Sequence, residues 1–301
     1  EVLKEGIRLE ITLTPILWKH AEPLLREALK RDPNDYRAHY FLARYEFDQP
    51  LEDGVTPTED RRKSGERVQL AREHLAQAKK KPVQYWRILG LEAEILNWTI
   101  RTAEARRLKP EAQAAARRQL EELLFAEPEG AIALAERGQK FEYFGNADGQ
   151  GVLRTLRIAM EYALEEARRP MGDARRVSAV ARAAQKVAEK MQAEANLRPF
   201  LPNALSLLAE LAVLTQPVLS RTDPATWKQF SSAVEQMLAQ APAGTVSPPQ
   251  AKRQLAQLRV NDAVIALRNQ DMARFRELLQ QAQKLLEEGL QPDDTDEDAD
   301  Q

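Results

Sequence analysis

The chain has no cysteine, only 12 glycines in 301 residues, and an aromatic share of 6%. Without cysteine there are no disulfides and no thiolate chemistry, though a choice between cytoplasm and periplasm does not follow. Scarce glycine beside abundant Ala, Leu, Glu, Gln and Arg is a helix-rich, soluble composition. No run approaches the ~20 apolar residues needed to span a bilayer. Neither sign of charge dominates: the net charge is −2, and the tail after residue 290, QPDDTDEDADQ, holds six acids and no base. The remainder carries 44 basic and 40 acidic side chains, too close to neutral for a nucleic-acid footprint. Arginine outnumbers lysine 30 to 14, a compositional trait of GC-rich bacterial genomes.

Catalytic constellations are equally scarce. There is no Gly-x-Ser-x-Gly elbow and no Gly-Lys-Ser/Thr phosphate loop. His20, His39 and His74 share no metal-ligand spacing and read as surface or packing residues. GNADGQG at Gly145–Gly151 lacks the lysine of a phosphate loop and the alternating acids of a calcium loop, so it reads as a connector. Trp18, Trp86, Trp98 and Trp227 lie at helical spacing in apolar stripes and read as core. Paired acids such as Glu121-Glu122, Glu165-Glu166 and Glu287-Glu288 mark solvated faces. Lys79-Lys80-Lys81 suits a helix C-terminus, where the dipole favours cations. The expectation is therefore no catalytic residue, no metal and no cofactor.

What the chain does have is a recurring helical unit. In AEPLLREALKRDPNDYRAHYFLARY (residues 21–45), Ala21, Leu24, Leu25, Ala28 and Leu29 share one helical face. Asp32-Pro33-Asn34-Asp35 stops that helix, and Ala38, Phe41, Leu42 and Tyr45 line the next one. Glu1–Thr14 reads as helical, and the opening at Glu1 rather than methionine reads as a processed protein or a fragment. Asp48–Gly65 reads as a mobile or irregular loop. Helix resumes near Glu66 and stops at Pro82. Another starts at Trp86 and runs towards Arg107, and Pro110 begins the next at its first position. Ala131–Phe144 and Val152–Arg169 follow, the latter stopped by Pro170. The terminating prolines 33, 82, 128 and 170 are 49, 46 and 42 residues apart, with two helices in each interval, which is an internal repeat.

Trp86-x-x-Leu89-Gly90 resembles the first-helix signature of tetratricopeptide repeats. Ala21-x-x-x-Leu25-x-x-Ala28-x-x-x-x-Pro33 and Ala116-x-x-x-Leu120-x-x-Leu123-x-x-x-x-Pro128 resemble the second-helix signature. Gly138 and Gly145-Asn146 fall where that family places its mid-helix and hairpin-turn glycines. The departure is in length, since the family repeat is about 34 residues. The resemblance implies an all-α, TPR-like α-solenoid over residues 1–170, its hairpins stacked right-handedly. Residues 171–290 read as a helical continuation or capping bundle, with helices at Asp173–Leu197, Asn203–Thr215, Asp223–Gln240, Pro249–Asn269 and Met272–Glu288. Residues 291–301 read as an acidic disordered tail.

From that resemblance follows a function: a non-catalytic scaffold that binds a partner peptide or domain in a concave groove lined by first helices. Carried over residue by residue, the groove face holds Arg37, Tyr40, Arg44, Arg87, Glu94, Gln139 and Tyr143. Arginine forks grip carboxylates, and tyrosine offers contact area at low entropic cost, so the expected ligand is an extended acidic segment, for which the chain's own tail could compete. The family's chaperone-tail clamp wants Lys and Asn where Tyr40 and Arg44 stand, so that ligand is not expected. The alternatives are a regulatory or sensory portion of a larger enzyme, such as a signalling kinase or transferase, and a stand-alone helical enzyme with a novel site.

Overall fold

The computed structural model describes residues 15–48, 57–80, 86–103, 107–140, 142–143, 146–147, 149–169, 173–240 and 248–290. Among them are twelve α-helices. The first six are α1 (Pro15–Arg31), α2 (Tyr36–Asp48), α3 (Pro57–Ala78), α4 (Trp86–Thr102), α5 (Pro110–Phe125) and the short α6 (Ala131–Glu136). After them come β1 (Glu142–Tyr143) and β2 (Asn146–Ala147), then α7 (Gly149–Ala167), α8 (Arg175–Ala193) and a 3-10 turn at Arg198–Phe200. The chain continues as α9 (Leu201–Thr222), α10 (Pro224–Ala239), α11 (Pro248–Arg268) and α12 (Met272–Leu290). The described residues are thus all-helical but for one minimal antiparallel pair, Glu142 opposite Ala147 and Tyr143 opposite Asn146. The readings of Glu1–Thr14 as helix and of residues 291–301 as a disordered tail lie outside the described residues.

Contacts divide the chain into two compact units, Glu1–Ala131 with Lys140–Thr155, and Ile132–Gln139 with Leu156–Gln301. The sequence reading sets a boundary at residue 170, and the contacts divide the chain at residues 131, 139 and 155.

In the first unit each helix packs on its sequence neighbour: α1 on α2, α2 on α3, α3 on α4, α4 on α5, and also α2 on α4. The turn into α2 is built by two aspartates. Asp32 accepts the Asn34 N–H at 3.0 Å, and Asp35 caps the helix by accepting the N–H groups of Arg37 (2.9 Å) and Ala38 (3.2 Å), satisfying donors that have no partner inside the helix. Leu25, Phe41, Leu42, Leu75, Leu91 and Ile95 then meet in one buried cluster. Trp86 is buried too, and its indole N–H donates to the Lys140 carbonyl at 3.1 Å. Trp98 is partly buried against the same cluster, edge-on to Phe47.

Three boundaries differ from the sequence expectation, each for a local reason. α3 begins at Pro57, so residues 57–65 are helical, not loop; proline at the first helical position loses no hydrogen bond and brings a helical φ. α4 ends at Thr102, short of Arg107, which adopts φ 52° while the Leu108 N–H returns to the Ala103 carbonyl at 2.8 Å. α6 ends at Glu136, well before Phe144, because Gly138 at φ 66° closes it. There the Gly138 and Gln139 N–H groups return to the carbonyls of Ala135 and Leu134, both at 3.0 Å, a Schellman closure.

In the second unit α9 is the hub, packing against α8, α10 and α11. Its Leu205, Leu208, Leu211, Ala212 and Leu219 are buried, as are Thr215 and Gln216. Residues Arg198–Thr222 are long and apolar enough to cross a membrane by length and composition, and in this unit they form a core helix. α9 runs through Pro217 to Thr222, beyond the Thr215 expected. Asp223 then caps α10, accepting from the Thr226 N–H at 3.1 Å and from the Ser178 hydroxyl of α8 at 2.8 Å. α11 and α12 pack along their length around Ala263, Ala266, Phe275 and Leu278. The turn between them is a second Schellman closure, with Gln270 at φ 59°, and Asp271 caps α12 through the Arg274 N–H at 2.9 Å.

One polar pair sits between α2 and α3. His39 and His74 meet Nδ1 to Nδ1 at 3.0 Å, and His39 Nε2 lies 3.0 Å from the Pro33 carbonyl. If His39 donates from Nε2 to that carbonyl, its Nδ1 accepts and His74 donates from Nδ1. Burial, then the neighbouring His39 and Arg26, opposed by Glu73, push the His74 pKa down from 6.5 to about 4. An unfolded chain takes up this proton below about 6.5, and the folded chain resists it until about 4. His74 therefore contributes stability that is lost as pH falls through that window. His74→Gln, which can still donate to His39 but does not titrate, should show a shallower drop in Tm between those pH values than the parent. Parallel profiles for the two proteins would show that His74 does not carry the dependence.

Candidate functional site

The residues expected on a recognition face centre on α2 and α4, and α4 carries a glycine there. A Cβ at Gly90 would stand 3.2 Å from the Thr155 hydroxyl oxygen and 3.3 Å from the Gly151 carbonyl. The first turn of α7 thus approaches α4 where α4 has no side chain. Thr155 is buried and donates to the Gly151 carbonyl at 2.8 Å, which leaves its hydroxyl little freedom to retreat. One turn along α4, on the same face, is Glu94. Its Oε1 accepts from Arg154 Nε at 2.8 Å, and its Oε2 accepts from Arg44 Nη1 of α2 at 2.5 Å.

One carboxylate thereby ties three helices together. Arg44 and Glu94 keep 16% and 19% of their side-chain exposure, and Arg154 keeps 42%. Ions held this far from water interact more strongly than a surface pair, and removing one partner leaves the others poorly solvated. Two guanidiniums thus converge on one carboxylate.

Of the residues expected on the face, Arg44 and Glu94 are brought together, as partners of each other. Arg37 lies two turns before Arg44, half-buried, with its guanidinium 5.6 Å over the Tyr36 ring. Arg87 lies two turns before Glu94 and is also half-buried. Tyr40 is 1% exposed and belongs to the core, which corrects the expectation that it offers contact area. The reason is that α2 packs on α1, α3 and α4 at once, so a residue turned from one neighbour meets another. Gln139 is exposed and belongs to the second unit. Tyr143 lies in β1, paired through its backbone with Asn146.

Arg154 was missed by sequence reading. It sits in the first turns of a helix far along the chain from Glu94, and the cue to their meeting was Gly90, whose missing side chain leaves room for the Gly151 carbonyl and the Thr155 hydroxyl. Among the described residues no group of three or more His, Asp or Glu side chains is placed to hold a metal ion. Gly90→Leu should destabilise the fold by about 1–3 kcal/mol through overpacking against α7, as measured by urea denaturation. An unchanged unfolding midpoint would mean that the approach does not exist in solution.

Comparison of the chain with protein-family models, with curated proteins and with solved structures finds no match, so any functional conclusion rests on the residues and geometry described above.

Proposed function

We propose that the chain is a non-catalytic protein–protein interaction module: a tetratricopeptide-like stack of helical hairpins that holds an acidic, extended segment of a partner along its first helices. The observation that carries this proposal is the packing of α2 directly on α4 within a set of otherwise sequence-adjacent contacts. First helices meeting side by side, with second helices between them in sequence, is the nearest-neighbour pattern of stacked hairpins.

The face so formed is cationic. Arg37 and Arg44 are seven residues apart on α2, as are Arg87 and Glu94 on α4, so each pair lies along one side of its helix. Glu94 is already shared between Arg44 and Arg154, and its role here is to align the two first helices. Arg37 and Arg87 flank that cluster and supply the recognition in this proposal, since guanidinium forks match carboxylates. A partner rich in Asp and Glu is favoured by these guanidiniums, and its association should weaken with salt.

The test is capture of a partner with the 301-residue chain, followed by an Arg37→Glu/Arg87→Glu variant. These residues are outside the Arg44–Glu94–Arg154 cluster, so the fold should persist by circular dichroism. Binding should weaken at least about tenfold. Unchanged binding by a folded variant, or robust turnover of a defined small substrate by the purified chain, would contradict the proposal.

A further inference from the structure

On the side of α4 opposite Glu94, a cleft opens between α3, α4 and α5. It consists of two adjoining cavities, of about 420 Å³ and about 280 Å³, which share Arg72 and Gln119 in their walls. The larger is floored by Leu75, Ile95 and Leu96, and the smaller by Val68 and Ala116. Together they fall in the size range of small-ligand sites.

The charges in this cleft are unequally satisfied. Lys79 is engaged, its Nζ donating to both oxygens of Glu92 at 2.8 and 2.7 Å. Arg72 is held differently: its Nη2 donates to the Thr99 hydroxyl oxygen at 3.0 Å. That hydroxyl gives its own proton to the Ile95 carbonyl at 2.7 Å, so its oxygen is left to accept. Among the described residues no carboxylate lies within ion-pair distance of Arg72. Burial pushes the Arg72 pKa down, and the charge of Glu92 acts against that. A guanidinium has five N–H donors in a rigid fork, and here one meets a neutral oxygen while the group faces two cavities. A half-buried cation so placed is stabilised by any anion that can reach it.

We propose that this cleft is a binding site for a carboxylate on a short apolar body, gripped by Arg72 and covered by Leu75, Ile95 and Leu96. The planar fork matches a carboxylate with two parallel hydrogen bonds. A phosphate dianion is disfavoured, because Lys79 is already neutralised and Glu92 stands in the same wall. The carboxylate can belong to an aliphatic acid or to a peptide C-terminus, and the same contacts serve both. The site is separate from the α2–α4 face and does not depend on how that face is used.

The experiment is an NMR titration of the isotopically labelled full chain, observing arginine Nε–Hε and Ile and Leu methyl signals. The probes are hexanoate, hexanol, the peptide acetyl-Ala-Leu-Leu with a free C-terminus, and its C-terminal amide. Saturable shifts at Arg72, Ile95 and Leu96 are expected with one or both carboxylates and not with hexanol or the amide. Hexanoate alone binding identifies the source as an aliphatic acid, and the peptide acid alone identifies it as a peptide end. Arg72→Met should weaken the binding about tenfold or more and Arg72→Lys by less, as expected for loss of a charge-assisted fork. Arg37→Glu/Arg87→Glu should leave it unchanged, which separates this site from the α2–α4 face. Absence of saturable shifts in the parent chain, or equal shifts with hexanol and hexanoate, would overturn the proposal without reference to any variant's stability.

Discussion

Burial of α2 around most of its circumference is the constraint on which the first unit depends. Residues Ala38 to Ala43 are buried in succession, which a helix packed along a single stripe does not allow. α1, α3 and α4 each cover part of it. No one of these neighbours covers that surface alone. The second unit solves the same problem with α9, which α8, α10 and α11 surround. In both, one apolar helix enforces the arrangement of amphipathic ones around it.

Where helices come that close, polar groups between them must find partners. His39 and His74 satisfy each other and the Pro33 carbonyl. Ser178 of α8 reaches the Asp223 cap of α10. Glu94 does more, because Gly90 lets the first turn of α7 approach and so delivers Arg154 to the carboxylate that already holds Arg44. α2, α4 and the first turns of α7 thereby meet at one side chain. Arg44, expected to contact a partner, is paired with Glu94.

Much of this was legible in the sequence. The helical periodicity and proline at the start of α5 follow from local rules that the structure obeys. What was not legible depended on something other than residue pattern. The polar start of α3 lacks apolar residues and so resembled a loop, yet Pro57 at its first position is a helix signal that the acidic and threonine-rich context outweighed. The early end of α6 depends on a single left-handed glycine, Gly138. Burial of Tyr40 depends on how many neighbours α2 has, and the arrival of Arg154 beside Glu94 depends on tertiary packing alone. The candidate face was therefore half visible: its helices could be named, but not that Arg44 and Glu94 are partners of each other.

The central claim is that the face formed by α2 and α4 is where a partner binds. Hydrogen–deuterium exchange of the full chain, with and without a captured partner, tests it most directly, because backbone protection locates contact without any substitution. Slowed exchange concentrated in residues 36–48 and 86–102 is the predicted result. Protection confined to the second unit, with those two helices unchanged, would contradict the account.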